Sequence, residues 1–513
     1  MIPMTLGEIA AAVGGTLVDA DPDVTVTGTV EFDSRKVGPG GLFVAFDGAK
    51  LDGHDFAAAA LSAGAVAVLG TRPIPARVLA GRPSAPVPTI LVGDALAAIG
   101  ALARAVLDRL SDLTVVGITG SSGKTSTKDL IGQLLERLGP TIAPAGSFNN
   151  ELGLPHTVLR ADAATRFLVL EMGARGPGHL TYLCGIAPPR IGVVVNVGVA
   201  HIGEFGSVDA IERAKGELVE ALPARADGRS ASSRAEADGR SASSRAEADG
   251  SSARSGAGGT AVLNADDPRV RAMASRTGAA VVLAGEADDA AVRAVDVSLD
   301  DRGRPSFTLS TAEGHVPVAL RVSGRHQVGN ALLAAAVARA AGMPLAEVGA
   351  ALGEVTLVST RRMDVFDRPD GVTVIDDSYN ANPASTAAAL RALVAIGQGR
   401  RQIAVLGYLA ELGERERDGH EEVGRLAAEL GVDLVVVVSD AAAGIHDGAT
   451  SVAHWGGDSV LVTDQAAALG WLREQLRAGD VVLVKGSRYR TWDVVDGLRV
   501  LDGSAKGGEV VTR

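Results

Sequence analysis

The sequence predicts an α/β protein of three domains: an N-terminal α/β module, a central domain with a parallel sheet, and a C-terminal, Rossmann-like doubly wound domain. From residue 112 onward, buried-strand runs alternate with helices, as in 115–118, 167–172 and 191–197. Such alternation is typical of a parallel sheet flanked by helices. It starts again after residue 358, which predicts a second doubly wound domain, with strand runs at 372–376, 402–407, 433–439 and 480–486.

The first predicted domain covers residues 1–110, and the chain of 513 residues leaves 111–357 and 358–513 for the other two. Short strand-like runs occur at Leu42–Phe46 and Ala65–Gly70, and an Ala/Leu-rich helix is predicted near residues 95–110. A connector between them is rich in proline, with Pro73, Pro75, Pro83, Pro86 and Pro88.

One segment fits none of the three domains. ADGRSASSRAE at 226–236 recurs at 237–247, and a third copy begins at Ala248 and degrades. The repeats are polar and lack apolar periodicity, so they bury too little surface to offset the entropy cost of ordering. We therefore predict a disordered insertion over residues 224–258.

Composition and charge narrow the function classes. A net charge of −12 argues against nucleic acid or an anionic membrane as the main partner. A single cysteine, Cys184, excludes a disulfide framework within the chain. The first residues lack a signal-peptide pattern, and no apolar run approaches the roughly 20 residues of a membrane span. We expect a cytoplasmic protein without membrane insertion, and a monomer, since no self-complementary apolar patch is legible.

The segment GSSGKTS, from Gly120 to Ser126, follows an apolar strand and opens a helix. Its glycines allow successive N–H groups to face one anion, and the helix N-terminus adds positive charge. Lys124 is expected to reach the β- and γ-phosphates, with Thr125 binding Mg²⁺. The first glycine of the strict eight-residue pattern is replaced by Ile118. The central domain is thus predicted to be a P-loop-type ATPase. A GTPase would carry an Asn-Lys-x-Asp motif, which is absent from the sequence. The loop alone does not exclude a small-molecule kinase.

Three further side chains suggest chemistry near this loop. Glu171 ends an apolar strand, the usual place for a metal-holding acid beside a phosphate loop. His201 follows the next strand and is a weak metal-ligand candidate by itself. Lys215 lies in a helical apolar stripe with Ile211 and Leu218, where a free cation is costly. It either snorkels to solvent or carries a CO₂-derived carbamate, and the residues alone leave both open.

Together these residues resemble the Mur ligase family. The family's T-G-x-x-G-K-T loop fits Thr119–Thr125 and accounts for the missing first glycine, and its histidine and carbamylated lysine match His201 and Lys215 in spacing. NADDP (264–268) and GRHQVGNALLAAA (324–336) look like its nucleotide-binding segments. The resemblance extends over nearly the whole chain apart from the insertion.

Within the family, the chain most resembles members that add D-alanyl-D-alanine to UDP-N-acetylmuramoyl-tripeptide. The D-N-P-R motif of the ligase that adds the third residue is absent. One position departs from the pattern: Tyr408 stands where these members usually carry an acid. The stretches that carry this finer resemblance are 33–56, 147–159, 375–386 and 410–424.

The resemblance implies an ATP-dependent amide ligase of cytoplasmic peptidoglycan precursor synthesis that works through an acyl phosphate. It implies catalytic roles for Lys124, His201 and Lys215. It also implies two metal ions, one held by Thr125 and Glu171 and a second held by His201 and carbamylated Lys215. The implied ATP-binding residues are Gly120, Ser121, Ser122, Gly123, Lys124, Thr125, Ser126, Asn264, His326, Asn330, Arg362 and Asp377. The N-terminal module would bind the UDP end, and the implied substrate-binding residues are Ser34, Arg35, Asn149, Asn150, Tyr379, Asn380, Asn382, Lys485, Ser487 and Arg488.

Two other functions remain to be weighed. Another amide ligase of the superfamily, such as a folylpolyglutamate synthase, would share the loop and the lysine but lack an N-terminal module like 33–56. A non-catalytic ATP-binding protein derived from a ligase would have lost Lys124, Glu171, His201 or Lys215, and all four are present.

Overall fold

A computed structural model describes residues 1–48, 51–74, 87–198, 202–225, 258–486 and 490–500. The predicted insertion lies almost entirely outside these residues. The α/β class is confirmed, with separate sheets built from the N-terminal, central and C-terminal parts of the chain. The domain boundaries themselves stay predictions.

The N-terminal part forms a sheet of order β2-β7-β6-β5-β4, in which only β2 runs antiparallel to its neighbour, and a small β1-β3 ribbon. Its strands are β1 (Met4–Thr5), β2 (Thr16–Val18), β3 (Thr25–Val26), β4 (Val30–Glu31), β5 (Leu42–Val44), β6 (Ala67–Gly70) and β7 (Thr89–Leu91). Its helices are α1 (Leu6–Val13), α2 (Ala57–Ser62) and α3 (Ala95–Asp108).

The central sheet has the order β16-β15-β14-β13-β12-β11-β8-β10-β9 and is parallel from β14 to β9. Its strands are β8 (Thr114–Thr119), β9 (Thr141–Ile142), β10 (Phe167–Glu171), β11 (Ile191–Val194), β12 (Thr260–Asn264), β13 (Ala280–Gly285), β14 (Val292–Leu299), β15 (Pro305–Thr311) and β16 (Gly314–Ala319). Its helices are α4 (Lys124–Glu136), α5 (Gly153–Val158), α6 (His179–Ile186), α7 (Ile202–Phe205), α8 (Val208–Glu220), α9 (Pro268–Ala272), α10 (Gln327–Ala340) and α11 (Leu345–Leu352).

The C-terminal sheet has the order β17-β18-β22-β19-β20-β21, with only β17 antiparallel. Its strands are β17 (Asp364–Asp367), β18 (Thr373–Asp376), β19 (Gln402–Leu406), β20 (Leu434–Val438), β21 (Asp458–Val462) and β22 (Val481–Lys485). Its helices are α12 (Pro383–Ile396), α13 (Glu416–Glu429), α14 (Ala443–Thr450), α15 (Gln465–Gln475) and α16 (Trp492–Arg499).

Both large sheets are covered on two faces, because successive strand residues point to opposite sides. In β10, Leu168 and Leu170 join the core shared with α3, α6 and α8, whereas Val169 joins the core under α4 and α10. This burial on both faces explains why the strands appear in the sequence as continuous apolar runs. No helix in the described part of the chain combines the length and apolar character needed to cross a membrane.

The structure corrects two details of the sequence analysis. The run 191–197 ends as a strand at Val194, because Asn196 turns toward the phosphate loop. The antiparallel strands β14, β15 and β16 were not predicted. Their residues alternate between buried and exposed positions, so they lack the continuous apolar run of the parallel strands.

Candidate active site

A cavity of about 490 Å³ lies where the carboxyl ends of the central strands face the C-terminal domain. Ligands of open α/β sheets bind at this end of the strands. Of the residues implied by the sequence, those that line the cavity are Ser121, Ser122, Gly123, Lys124, Thr125, Ser126, Asn149, Glu171, Asn264, His326, Asn330, Arg362, Asp377, Tyr379, Asn380, Asn382 and Lys485.

The phosphate loop joins β8 to α4. Gly123, the residue before the helix, has φ +79°, and a Cβ there would come within 3.0 Å of Asn330 Oδ1. Only glycine accepts both the backbone conformation and the close approach without strain. Gly120, whose added Cβ would lie 2.8 Å from Val195 Cβ, begins the loop at the strand end.

Asn196 holds the loop and was missed by the sequence analysis. Its Oδ1 accepts hydrogen bonds from the backbone N–H groups of Ser121 and Ser122, each at 2.9 Å, and its Nδ2 donates to Ser122 O at 3.2 Å. The Ser121 hydroxyl is in turn held by Gly198. A polar residue at the end of a buried strand next to a phosphate loop is the signal that could have revealed Asn196.

Lys124 and Thr125 occupy the first turn of α4. Lys124 Nζ donates to Gly120 O at 2.7 Å, and Thr125 Oγ1 accepts from Arg362 at 3.2 Å. Burial lowers the pKa of Lys124; Glu171 opposes that shift and the neighbouring Arg362 adds to it. The Arg362 guanidinium lies 4.2 Å from the Tyr379 ring centroid, so the C-terminal domain brings a stacked cation to the loop.

Glu171 ends β10, and its side chain is buried against the loop. Its Oε2 accepts from Ser147 Oγ at 2.8 Å, whereas its Oε1 is buried without a hydrogen-bond partner. A buried carboxylate oxygen that lacks a donor is costly and suits a hard cation such as Mg²⁺. Thr125 and Glu171 therefore fit a metal ion by their donor chemistry.

Lys215 lies in the buried face of α8 and is 2% exposed. The snorkelling alternative is therefore wrong. Burial, together with the nearby charge of Lys124, lowers the pKa of Lys215 well below its usual range, which favours a neutral amine. His201, the other predicted ligand, lies outside the described residues.

The C-terminal wall contains an ion pair. Lys485, at the end of β22, donates to Asp377 Oδ2 at 2.5 Å and to Asn380 O at 2.9 Å. Burial lowers the pKa of Lys485, and Asp377 opposes that shift. The pair links a residue implied for nucleotide binding to one implied for the incoming dipeptide.

The facing wall comes from β12 and the start of α10. Asn264 Nδ2 donates to Val195 O at 2.8 Å, and Asn330 Oδ1 accepts from Thr127 at 3.2 Å. His326 lies at the start of α10 and faces the same cavity. All three side chains line the cavity beside the phosphate loop.

Some implied residues are elsewhere. Asn150 Oδ1 accepts from the backbone N–H of Gly153, the first residue of α5, at 2.8 Å. Arg35, whose side chain is 81% exposed, forms a hydrogen-bonded ion pair with Asp33. This hydrogen bond is the main reason that the pKa of Asp33 is lowered to about 2. Ser34 lies between them in the sequence and does not line the cavity. Ser487 and Arg488 lie outside the described residues.

Two further residues stand apart from the implied set. Tyr408 does not line the cavity; its hydroxyl donates to Glu416 Oε2 at 2.6 Å. Glu411 does line it, with φ +70°, and the sequence analysis did not single it out.

Family models match most of the chain between residues 28 and 488. The model described as Mur ligase family, catalytic domain matches residues 28–106, Mur ligase middle domain matches 118–232 and 252–338, and Mur ligase, glutamate ligase domain matches 361–488. The chain belongs to the Mur ligase family. The predicted family is thereby confirmed.

Relatives within the Mur ligase family span this chain from end to end. The UDP-N-acetylmuramoyl-tripeptide--D-alanyl-D-alanine ligase of Mycobacterium leprae is 45% identical and covers 99% of this chain and 100% of that protein. The enzyme of the same name from Escherichia coli is 31% identical, covering 96% and 98%.

Solved Mur ligase structures share the fold. MurF from Acinetobacter baumannii matches with a TM-score of 0.81 at 28% identity, covering 97% of this chain and 99% of that one. MurF ligase from Thermotoga maritima in complex with ADP matches with a TM-score of 0.71 at 27% identity, covering 92% and 97%.

Proposed function

We propose that this Mur ligase joins D-alanyl-D-alanine to UDP-N-acetylmuramoyl-tripeptide and converts ATP to ADP and phosphate. The established names of full-length relatives support these substrates. The observation that carries the chemistry is the cavity in which the phosphate loop and Glu171 face Arg362, Asp377 and Lys485 of the C-terminal domain. The Thermotoga relative's ADP complex supports ATP as the nucleotide.

The proposed reaction has two steps. The peptide carboxylate of UDP-N-acetylmuramoyl-tripeptide is a poor electrophile. Its oxygen therefore first attacks the γ-phosphorus of ATP, which forms an acyl phosphate as ADP leaves. The amine of D-alanyl-D-alanine then attacks the acyl carbon; phosphate leaves with the electron pair, and the amine loses a proton. Both steps pass through crowded anionic species, which positive charges fixed in the cavity stabilise.

Each charged side chain has a proposed role. Lys124 leaves the Gly120 carbonyl for the β- and γ-phosphates, and Arg362, stacked on Tyr379, adds a second cation. Thr125 and Glu171 would hold Mg²⁺, which would offset the phosphate charge. Gly120, Ser121, Ser122, Gly123 and Ser126 shape the loop, while Asn264, His326, Asn330 and Asp377 hold the rest of the nucleotide.

Lys215 is proposed to act as a carbamate. A neutral amine adds to CO₂, forming an N–C bond and releasing one proton, and the product is a carboxylate. The low pKa of Lys215 supports this step, because a protonated amine has no lone pair for it. The carbamate and His201 would then serve as oxygen and nitrogen ligands of a second metal ion.

The substrates are proposed to bind across the domains, with UDP at the N-terminal module near Ser34 and Arg35. The acceptor peptide would lie against Asn149 and Asn150, and the dipeptide against Tyr379, Asn380, Asn382, Lys485, Ser487 and Arg488. Use of ATP and a UDP-linked precursor favours the cytoplasm. We propose a monomer, which light scattering after size-exclusion chromatography tests.

Phosphate release from ATP tests the function. We expect release only when UDP-N-acetylmuramoyl-tripeptide and D-alanyl-D-alanine are both present, with one amide product per phosphate. Release with a folate and glutamate instead would identify a folylpolyglutamate synthase-like ligase. ATP binding without release under any of these conditions would contradict the ligase and turn attention to Tyr408.

A further inference from the structure

A buried ionic cluster lies behind the metal carboxylate. Lys128, 1% exposed, follows the phosphate loop by one helical turn. Its Nζ donates to Gly146 O at 2.8 Å and to Pro144 O, and it lies 3.1 Å from Asp129 Oδ1. Since an ammonium group has three N–H donors, these contacts fix its position on every side.

Lys128 lies near Glu171 but forms no hydrogen bond with it. The distance from Nζ to Glu171 Oε1 is 3.9 Å, and Oε1 has no hydrogen-bond partner. The lysine therefore attracts the carboxylate but leaves one oxygen available. The loop that Lys128 holds through Gly146 also carries Ser147, whose hydroxyl donates to Glu171 Oε2 at 2.8 Å.

The same cluster includes the linker between the central and C-terminal domains. Ser359 N donates to Asp129 Oδ2 at 2.8 Å, and its hydroxyl donates to Asp129 Oδ1 at 3.0 Å. Gly146 N donates to the Ser359 hydroxyl at 3.0 Å, and Lys128 Nζ lies 3.5 Å from it. The linker thus forms one wall of the pocket around Lys128.

We propose that Lys128 is a positioning residue for Glu171, and that the linker completes its pocket through Ser359. The contacts support this. Lys128 Nζ lies 3.1 Å from Asp129 Oδ1 and 3.9 Å from Glu171 Oε1, and that Glu171 oxygen accepts no hydrogen bond, so it can still bind a cation. Through these contacts the docked linker helps to hold the metal carboxylate in place. The inference rests on the proposed function for the identity of the metal as Mg²⁺.

Metal affinity tests the role of Lys128. We would titrate Mn²⁺ by electron paramagnetic resonance, with β,γ-imido-ATP present and no peptide substrate, on the full chain and on Lys128→Met. Groups that orient metal ligands cost about 10- to 100-fold in metal affinity when removed, and we expect a loss in that range. The matched control is Arg137→Met. This variant removes the cation that follows the last residue of α4 and pairs with Glu354. Folded Lys128→Met with affinity within twofold of the parent would overturn the proposal.

Ser359→Ala tests the linker without removing a charge. We expect faster hydrogen exchange in 144–147 as well as in 354–363, because Gly146 N loses its acceptor, and Mn²⁺ binding at least threefold weaker. Faster exchange in the linker alone, with unchanged Mn²⁺ affinity, would refute the coupling between the linker and Glu171. This test remains valid even if Lys128→Met fails to fold. These readouts need no peptide substrate. If the parent protein binds Mn²⁺ as expected but forms no amide product, the proposed function is refuted and the role of Lys128 is not.

Discussion

Lys128 on α4 and Lys215 on α8 are both buried beside the same site, yet their surroundings differ. Lys128 has two backbone carbonyls, Asp129 and Glu171 around its amine. Lys215 lies in an apolar helix face, where burial and the charge of Lys124 act together against its protonation. The comparison shows that burial alone does not decide what a lysine does: the amine of Lys128 contacts carbonyl and carboxylate oxygens, whereas the amine of Lys215 is proposed to add to CO₂.

The largest expected effect is on catalysis. Lys215→Met should lower kcat for phosphate release about 10²- to 10³-fold, the range for losing one preorganised electrostatic group. Arg213→Met, an exposed cation on the same helix, is the control and should stay close to the parent. Equal activity of Lys215→Met and the parent would remove Lys215 from the mechanism.

The next effect is on stability, and it should separate the two lysines. Asp129→Ala removes the carboxylate that pairs with the buried Lys128. It should lower the free energy of unfolding by about 3–5 kcal/mol. Lys215→Met replaces a buried amine with an apolar chain of similar length and should cost much less. Urea unfolding measures both, with exposed Glu136→Ala as the control. Similar losses for the two variants would break the comparison.

A smaller effect should follow from pH. The pKa of Lys215 is lower in the folded chain than in the unfolded chain, so between these values the unfolded state binds more protons. Stability of the parent should therefore rise with pH relative to Lys215→Met, by up to about 1.4 kcal/mol per pH unit below the unfolded pKa of about 10.4. Urea unfolding at pH 7 to 9 in CO₂-depleted buffer measures the difference, and a pH-independent difference would contradict the lowered pKa.

The smallest effect is expected at the exposed end of the linker contact. Arg137, the residue that follows α4, pairs with Glu354 at the surface, where water screens the interaction. Arg137→Met should change the unfolding free energy by about 0–1 kcal/mol. Urea unfolding in low and high salt checks this, and a loss comparable to that of Asp129→Ala would show that burial is not what distinguishes the two contacts.

Local patterns in the sequence predicted much of this protein. The parallel strands, the phosphate loop and the stripe that buries Lys215 are visible because they depend on residues a few positions apart. Family and fold class followed from them and are confirmed. The individual site roles stay predictions, including those of His201, Ser487 and Arg488.

Only the tertiary structure decided which distant groups meet. Asn196 binds the phosphate loop across 75 residues, and Ser359 reaches Asp129 across 230. No short-range sequence pattern indicates either contact, because the sheet order and the domain packing bring the partners together. The half-exposed strands β14 to β16 were missed for a related reason: the antiparallel neighbours that pair with them, and not their own apolar content, hold them as strands.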